Sequence, residues 1–331
     1  MAFKFYKIFL VFSYIWNCIF LLFKYLFSET EEIIDNIQLN LLKTKMNLPD
    51  IIPDIIPDIT PNITPNNNKK TLNTLITDKT NLFNNMRLIN NTNTSSKRIT
   101  ILNWNIHYFT DDNNKCSFVE QFEYLQKQSP DIICLQEVKC KTFKINNKLC
   151  NQLQCIANKL GYYYVHIGEI AVLSKFKIIK HKCISQYPTS NSFGNRGIIF
   201  EVIINNKTIT IFNLHLHNDI FGLEQLSFYE EHLQKIIDKY NKKNKPLIIC
   251  GDFNSVFFHP TVYKIKNQLQ ITNSNYDNYP STFSTNYPIF HLDKCYSNEY
   301  YSKDITLLNS NIDKECVSSD HFPLISRFLI N

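Results

Sequence analysis

The stretch Pro246-Leu247-Ile248-Ile249-Cys250-Gly251-Asp252-Phe253-Asn254 is an apolar run that ends in an aspartate and an asparagine two residues apart. Such a run predicts a buried strand over residues 247–252, with its polar side chains delivered at the carboxyl end. Further along the chain, Ser318-Ser319-Asp320-His321 supplies a second carboxylate beside an imidazole. Carboxylates and imidazoles are the groups that direct water and protons in hydrolysis, so these two stretches are the first candidates for a catalytic site.

The composition predicts a globular protein. The chain has 331 residues, of which 44% are hydrophobic and 14% aromatic, and this is enough to bury a sizeable core and excludes a disordered protein. The formal charge of +6 tolerates a phosphate-rich partner but does not by itself predict nucleic-acid binding. Cys134 and Cys250 lie in apolar runs, which favours reduced, structural thiols. Zinc is not expected, because the sequence has no closely spaced Cys/His quartet.

The N-terminal segment is typical of a membrane anchor. Residues 8–23 carry no charge and are flanked by Lys4, Lys7 and Lys24. With its apolar flanks, the segment spans residues 5–27, close to the ~20 residues of a transmembrane helix. We therefore expect residues 1–27 to be a single-pass anchor in a membrane that the sequence does not identify. A cleaved signal peptide is the alternative, but the apolar part is long and no Ala-x-Ala-like site follows it. A buried helix of a soluble domain is also disfavoured, because the segment is apolar all round.

Residues 28–96 are predicted to be a linker. Proline recurs every fourth residue at Pro49, Pro53, Pro57, Pro61 and Pro65, and this spacing excludes a helix. An extended spacer followed by an Asn-rich stretch is the expectation. A docking motif for a partner is the alternative, although no protein partner can be inferred from the sequence.

Residues 97–331 are predicted to form an α/β domain, since short apolar runs alternate with amphipathic stretches. We expect helices near residues 118–125 and 223–240. The predicted strands cover Ile99 to Asn105, Asp131 to Gln136, Tyr162 to His166, Ala171 to Ser174, Ile198 to Ile204, Thr208 to His215, Leu247 to Asp252, Ile289 to Asp293 and Pro323 to Leu329.

Polar side chains cluster at the carboxyl ends of several of these predicted strands. They are Asn105, Glu137, His215, Asp252 with Asn254, and Asp320 with His321. Because strands are directional, groups at one end of neighbouring strands can converge on one site while the strand bodies fill the core. Taken singly, each of these residues has an ordinary structural explanation, such as a helix cap or a solvated carboxylate.

The chain resembles the endonuclease/exonuclease/phosphatase superfamily over about residues 98–330. The motifs that carry the resemblance occur in the family's order: Trp104-Asn105, Leu135-Gln136-Glu137, Asn213-Leu214-His215-Leu216, Gly251-Asp252-Phe253-Asn254, Leu292-Asp293 and Ser319-Asp320-His321. The resemblance implies a four-layer α/β sandwich, with two mixed β-sheets face to face and helices outside. It also implies a Mg²⁺ centre, with Mn²⁺ as a substitute.

The resemblance assigns a role to each candidate residue. Glu137 and Asp320 would offer hard oxygen ligands to the metal, and Asn105 would steady them. Asp252 would orient or deprotonate the attacking water, and Asn254 would hold that water in line.

Five further residues are candidates at the site: His215, His217, His321, Asp293 and Arg196. His215 and His321 would meet the phosphoryl oxygens, and Asp293 would pair with His321 to fix its tautomer and favour its protonated ring. His217 would face the same way as His215 on a strand, and Arg196 is a further candidate for phosphate contact. For both, a neighbouring or surface position is the simpler interpretation.

His107 departs from the pattern of DNA-repair members, which usually carry an aspartate there. A neutral imidazole does not replace a carboxylate as a Mg²⁺ ligand, so a second metal position and a repair role are both put in doubt. His107 is instead a candidate substrate contact. Thr282 and Phe283 fall where relatives often place a loop beside the substrate.

The sequence therefore predicts a membrane-anchored, Mg²⁺-dependent phosphodiesterase or phosphatase. Because an anchor concentrates an enzyme near lipid head groups, a phospholipid or phosphoinositide substrate is favoured. The alternatives are a DNA or RNA nuclease, for which Lys139, Lys141, Lys144 and Lys148 offer a basic loop, and an inactive binding module with the same fold.

Overall fold

The computed structural model describes residues 96–145, 148–185, 195–218, 223–256, 259–271 and 281–331. Within these ranges, no helix combines the length and apolar character needed to cross a membrane. The predicted anchor over residues 1–27 lies outside the described residues, as does the predicted linker up to residue 95.

The first β-sheet has six strands in the order β12-β13-β1-β2-β6-β5. The strands β1 and β2 are parallel, and the other neighbours are antiparallel, so the sheet is mixed. Its strands are β1 (Lys97–Asn105), β2 (Ile132–Gln136), β5 (Tyr163–Ile167), β6 (Ile170–Ser174), β12 (Ile305–Ile312) and β13 (Leu324–Ile330). A separate hairpin joins β3 (Thr142–Ile145) and β4 (Lys148–Asn151).

The second sheet has five strands in the order β11-β10-β9-β8-β7. Here β9 and β10 are parallel, and the other pairs are antiparallel. The strands are β7 (Ile178–Ser185), β8 (Asn195–Ile204), β9 (Lys207–His215), β10 (Leu247–Asp252) and β11 (Asp293–Ser297). The predicted strand over residues 247–252 is therefore observed with those bounds.

The described helices are α1 (Phe118–Gln128), α2 (Gln152–Leu160), α3 (Leu223–Phe228), α4 (Gln234–Lys242) and α5 (Pro260–Leu269). Helix α2 begins where the side chain of Asn151 accepts the Gln154 N–H at 2.7 Å, and it ends at Gly161, whose φ is +69°. A π-helical segment, Tyr229–Leu233, joins α3 to α4, so the predicted helix over residues 223–240 is continuous but locally widened.

The core lies between the two sheets. Residues of β1 and β2, such as Ile101 and Ile132, belong to the same buried cluster as Phe212 of β9 and Ile249 of β10. Strand β1 packs on β10, and β2 packs on β9. Apolar residues of α3 to α5 join this cluster. The predicted class, two mixed β-sheets packed with helices, is confirmed.

One predicted strand is wrong. Residues 289–292 are not in a ladder, and the strand begins at Asp293 instead. The segment before it folds back on itself, since Phe283 and Phe290 form an isolated bridge, and the Thr282 hydroxyl accepts the N–H groups of Leu292 and Asp293 at 2.9 and 3.1 Å. The apolar residues of this segment therefore lie in a turn that precedes strand β11.

Candidate active site

The predicted site residues meet because two parallel strand pairs end at the same place. In the second sheet, Asp252 at the end of β10 is in register with His215 at the end of β9. In the first sheet, Asn105 at the end of β1 is in register with Gln136, the residue before Glu137. Since β1 packs on β10, the carboxyl ends of both pairs face each other across the sandwich.

Gly251 allows β10 to approach β9 closely. A Cβ atom at this position would lie 2.0 Å from the carbonyl oxygen of Leu214, and the φ of Gly251 is +151°. No side chain fits between these two backbones. The glycine therefore sets the spacing of the two strands immediately before Asp252 and His215.

Asp252 occupies the centre of the site and is 1% exposed. Its Oδ2 accepts from Nδ2 of Asn105 at 3.0 Å, and its Oδ1 accepts from the backbone N–H of Asn254 at 2.8 Å. The Nε2 atoms of His321 and His215 lie 3.7 and 3.9 Å from Oδ2. Burial alone would raise the pKa of Asp252, but His321 and His215 outweigh it and lower the pKa. Asp252 is therefore a buried carboxylate.

His321 is paired with Asp293 on its other side. Its Nδ1 donates to Oδ2 of Asp293 at 2.7 Å, and both side chains are buried. Burial alone would lower the pKa of His321, but Asp293 and Asp252 raise the pKa well above its usual value. The ring of Phe283 packs on His321 with the ring centroids 4.8 Å apart. Asp293 therefore fixes the orientation of this imidazole, and the two carboxylates favour its protonated form.

Glu137 has the free oxygen that a cation would use. Its Oε1 accepts from Nδ2 of Asn105 at 3.1 Å, whereas its Oε2 is buried and, within the described residues, has no hydrogen-bond partner. Burial raises the pKa of Asp320, and the charge of Glu137 adds to this although His107 and His321 oppose it. Two carboxylates close enough to interact electrostatically, one of them with an orphaned oxygen, fit a hard divalent cation.

Asp252, Asp293 and His321 also have ligand atoms within 4.8 Å of one another. The hydrogen bond between His321 and Asp293 already uses the facing atoms of that pair. These three residues therefore have fewer free ligand atoms than their proximity suggests. Asn105 uses Nδ2 to hold Glu137 and Asp252, and its Oδ1 accepts the backbone N–H of His107 at 3.0 Å.

A left-handed turn follows β1. His107, Tyr108 and Phe109 have φ values of +44°, +55° and +65°, and Glu137 has +53°. Such backbone costs about 1 to 2 kcal/mol per residue and is typical of functional sites. The turn places Nδ1 of His107 3.8 Å from Oδ2 of Asp320. His107 therefore lies beside a predicted metal ligand.

The remaining candidates differ in their placement. The Nδ2 of Asn254 donates to the Leu216 carbonyl at 2.9 Å, so this side chain is tied to the segment after β9. Nδ1 of His217 lies 3.1 Å from Oε2 of Glu224 on α3, so this imidazole pairs with the helix. Arg196 is half-buried on β8, next to Gly197, which is in register with Leu214 near the end of β9.

Behind the site lies a buried chain of amides whose role was not predicted from the sequence. Asn103 donates to Oδ1 of Asp293 at 3.2 Å, and Gln136 donates to Oδ1 of both Asn103 and Asn213 at 2.9 and 2.6 Å. The Asn213 amide then reaches the carbonyls of Leu135 and Ala171. The signal was present, because Asn103 and Asn213 each stand in an apolar run two residues before a predicted site residue.

Comparison with known proteins agrees with this geometry. The model of the Endonuclease/Exonuclease/phosphatase family matches residues 102–321. The CCR4-Not complex 3'-5'-exoribonuclease subunit Ccr4 of Candida albicans is 27% identical over 222 residues, which cover 49% of this chain. The chain spans only 28% of that relative's length.

Solved structures show the same fold. An endonuclease/exonuclease/phosphatase family protein from Bacteroides thetaiotaomicron superposes with a TM-score of 0.56 at 16% identity, covering 72% of this chain and 99% of that one. A mannosyl-6-phosphatase from the same species gives a TM-score of 0.54 at 16% identity, with 70% and 99% covered.

Proposed function

This chain belongs to the endonuclease/exonuclease/phosphatase family, whose members are phosphoester hydrolases, and from this premise we propose that it cleaves its substrate at the cluster around Asp252. The observation that carries the proposal is the Asp252 carboxylate. It is buried and held by Asn105 and the Asn254 N–H, and two imidazole Nε2 atoms lie 3.7 and 3.9 Å from its Oδ2. A carboxylate kept ionised in this way is suited to act on a water molecule.

Asp252 would take a proton from the attacking water. Asn105 fixes the orientation of its carboxylate, and the Asn254 N–H steadies the other oxygen. Because both oxygens are held by hydrogen bonds, the base keeps one geometry through the reaction.

His321 would carry positive charge to the phosphoryl oxygens. The hydrogen bond to Asp293 keeps its Nδ1 occupied, so Nε2 is the atom that faces the substrate. His215, with Nε2 3.9 Å from both Glu137 and Asp252, would meet a second phosphoryl oxygen.

Glu137 and Asp320, steadied by Asn105, would hold a divalent cation, and we propose Mg²⁺, with Mn²⁺ as a substitute. The bound cation would supply Lewis-acid stabilisation of the charge that develops on the phosphoryl group. The orphaned Glu137 Oε2 supports this position.

We propose a membrane phospholipid or phosphoinositide as the substrate, with the enzyme anchored through residues 5–27. The uncharged run over residues 8–23 supports the anchor. Tyr287 and Ile289, which are 76% and 62% exposed, support an apolar contact near the site, since they lie on the segment that packs Phe283 against His321.

A nuclease is the second candidate. The similarity to the Ccr4 exoribonuclease subunit supports it, as do the exposed residues Lys139 and Lys141 that follow Glu137. This activity would not require the membrane.

A substrate panel tests the proposal. The full-length chain in mixed detergent–lipid micelles would be assayed with Mg²⁺ or Mn²⁺ against single-stranded and duplex DNA, RNA, sphingomyelin and phosphoinositides. We expect turnover of a lipid class that is lost with EDTA and in Asp252→Asn. Turnover of RNA or DNA alone would replace the lipid proposal with the nuclease, and a folded protein that hydrolyses nothing would leave the binding module.

A further inference from the structure

Lys294 is a fully buried lysine directly after Asp293, and it is 1% exposed. Its ammonium donates to three backbone carbonyls: Ser255 at 2.5 Å, His291 at 2.7 Å and Leu292 at 3.3 Å. It also lies 5.7 Å from the centroid of the Phe253 ring. The number of acceptors equals the number of its donors, so the site is built for the protonated amine.

The three carbonyls belong to two segments that carry site residues. Ser255 closes the segment that begins with Asp252 and contains Asn254, whereas His291 and Leu292 lead into Asp293. The two segments continue the paired ends of β10 and β11, where Asp252 is in register with Asp293, and a backbone hydrogen bond from the Phe253 N–H to the Leu292 carbonyl at 3.0 Å extends this pairing. Lys294 is therefore a clamp between the segment of the base and the segment of the aspartate that orients His321.

Burial of this charge carries a cost that packing does not require. An apolar side chain of similar length would fill the same space without desolvating an ammonium. Burial lowers the pKa of Lys294 to about 7, although Asp293 and Asp252 act in the opposite direction. A lysine that is buried here at a cost in desolvation free energy is better explained by the two segments that it connects than by a contribution to stability alone.

Resting on the proposed hydrolase function, we infer that Lys294 is a positioning residue that fixes Asp252 relative to the Asp293–His321 pair. It does not touch the reacting atoms. Its loss lets the ends of the two segments shift beyond the β10–β11 ladder, and displacements of about 1 Å in an active site reduce rates by about 100-fold.

The test compares Lys294→Met with a matched lysine replacement on the surface, Lys264→Met, in the full-length enzyme. Lys264 lies on α5 and pairs with Glu230, away from the site. We expect kcat of Lys294→Met to fall by about 100-fold while KM changes less than about threefold, because substrate groups are untouched. Lys264→Met keeps the wild-type kcat. An unchanged kcat in Lys294→Met, or a loss confined to KM, overturns the inference.

The wild-type enzyme provides a second readout if Lys294→Met does not fold. The charged groups that act on Lys294 are Asp293 on its own strand, Asp252 on β10 and Lys266 on α5. The titratable group His291 is neutral near pH 7, because burial and the charge of Lys294 lower its pKa to about 3. NMR of ¹³Cε-labelled lysine should show one resonance titrating near neutral pH. We expect kcat to decline with the same midpoint, since the neutral amine loses one of its three donors. A kcat that stays level across that midpoint contradicts the inference.

A structural readout separates this inference from the proposed function. In metal-free protein without substrate, the His321 Nδ1 proton resonance should differ between wild type and Lys294→Met, but not in Lys264→Met. A shift together with no hydrolysis of any substrate would retain the clamp and reject the hydrolase proposal. An identical resonance would reject the clamp even in an active enzyme.

Discussion

The imidazole of His321 lies between two buried carboxylates, with Nδ1 2.7 Å from Asp293 Oδ2 and Nε2 3.7 Å from Asp252 Oδ2. Only the first contact is a hydrogen bond, so Asp293 sets the orientation of the ring and leaves Nε2 on the side of Asp252. Two negative charges beside one ring stabilise its protonated form. The pH behaviour of the site should therefore depend on Asp293.

Asp293→Asn should lower the pKa of His321, because the nearest stabilising charge is removed. Since the folded pKa is raised, the stability contributed by protonated His321 is complete below its unfolded value of about 6.5 and is lost as pH rises through the folded pKa. NMR titration of ¹⁵N-labelled histidine in metal-free protein measures this. We expect His321 to stay protonated above neutral pH in wild type and to titrate lower in the variant. Equal titration curves would show that Asp293 does not control the ring.

Asp252→Asn should reduce kcat by about 100-fold to 10,000-fold, as expected for loss of a general base. The amide is nearly the same size as the carboxylate, so the fold should persist. Asp238→Asn, the same change on α4, serves as the control. Initial rates and thermal melting measured on all three proteins separate chemistry from folding. Activity within tenfold of wild type in Asp252→Asn would remove this residue from the mechanism.

Glu137→Gln should weaken binding of the divalent cation by at least about tenfold, because an anionic ligand becomes neutral. Titration calorimetry with Mn²⁺ gives the affinity directly. Glu123→Gln changes an exposed carboxylate on α1 and should bind as the wild type does. If both variants bind equally well, the cation is not held by Glu137.

Gly251→Ala should destabilise the domain by about 3 kcal/mol or more, because the new methyl group would overlap the Leu214 carbonyl. Gly161→Ala is the control. Its φ is also positive, at +69°, but nothing lies within 4 Å of the added atom, so it should cost only about 1 kcal/mol. Urea unfolding compares the two. Similar losses would mean that backbone conformation, rather than the close approach of β9 and β10, decides the effect.

Strong local patterns made much of this domain predictable. The apolar run over residues 247–252 and the order of polar residues at strand ends were enough to place β10 and to group Asp252 with His215 and His321. These predictions depend on the period of the apolar pattern and on the direction of each strand, and both can be read from a single sequence.

Other elements could not be predicted, because their sequences lack a clear alternation between apolar and polar residues. Strand β7 is largely exposed at the edge of its sheet, with Lys180, His181 and Lys182 in succession, so its pattern is polar. The role of Lys294 was hidden for another reason: a lysine in a sequence is expected at the surface. Only the folded arrangement reveals that its ammonium meets three carbonyls.

The pairing of β1 with β13 has a consequence for how the enzyme is made. Lys97 is in register with Ile330 and Asn103 with Leu324, so the first strand of the domain is completed by its last. Contacts this distant along the chain form late, and a ribosome must release nearly all of the domain before they can form. Asn105 and His321, which lie beyond the paired residues of these two strands, are both brought to Oδ2 of Asp252 only then. On a nascent chain the site therefore cannot assemble until residue 330 has left the ribosome, whatever the substrate.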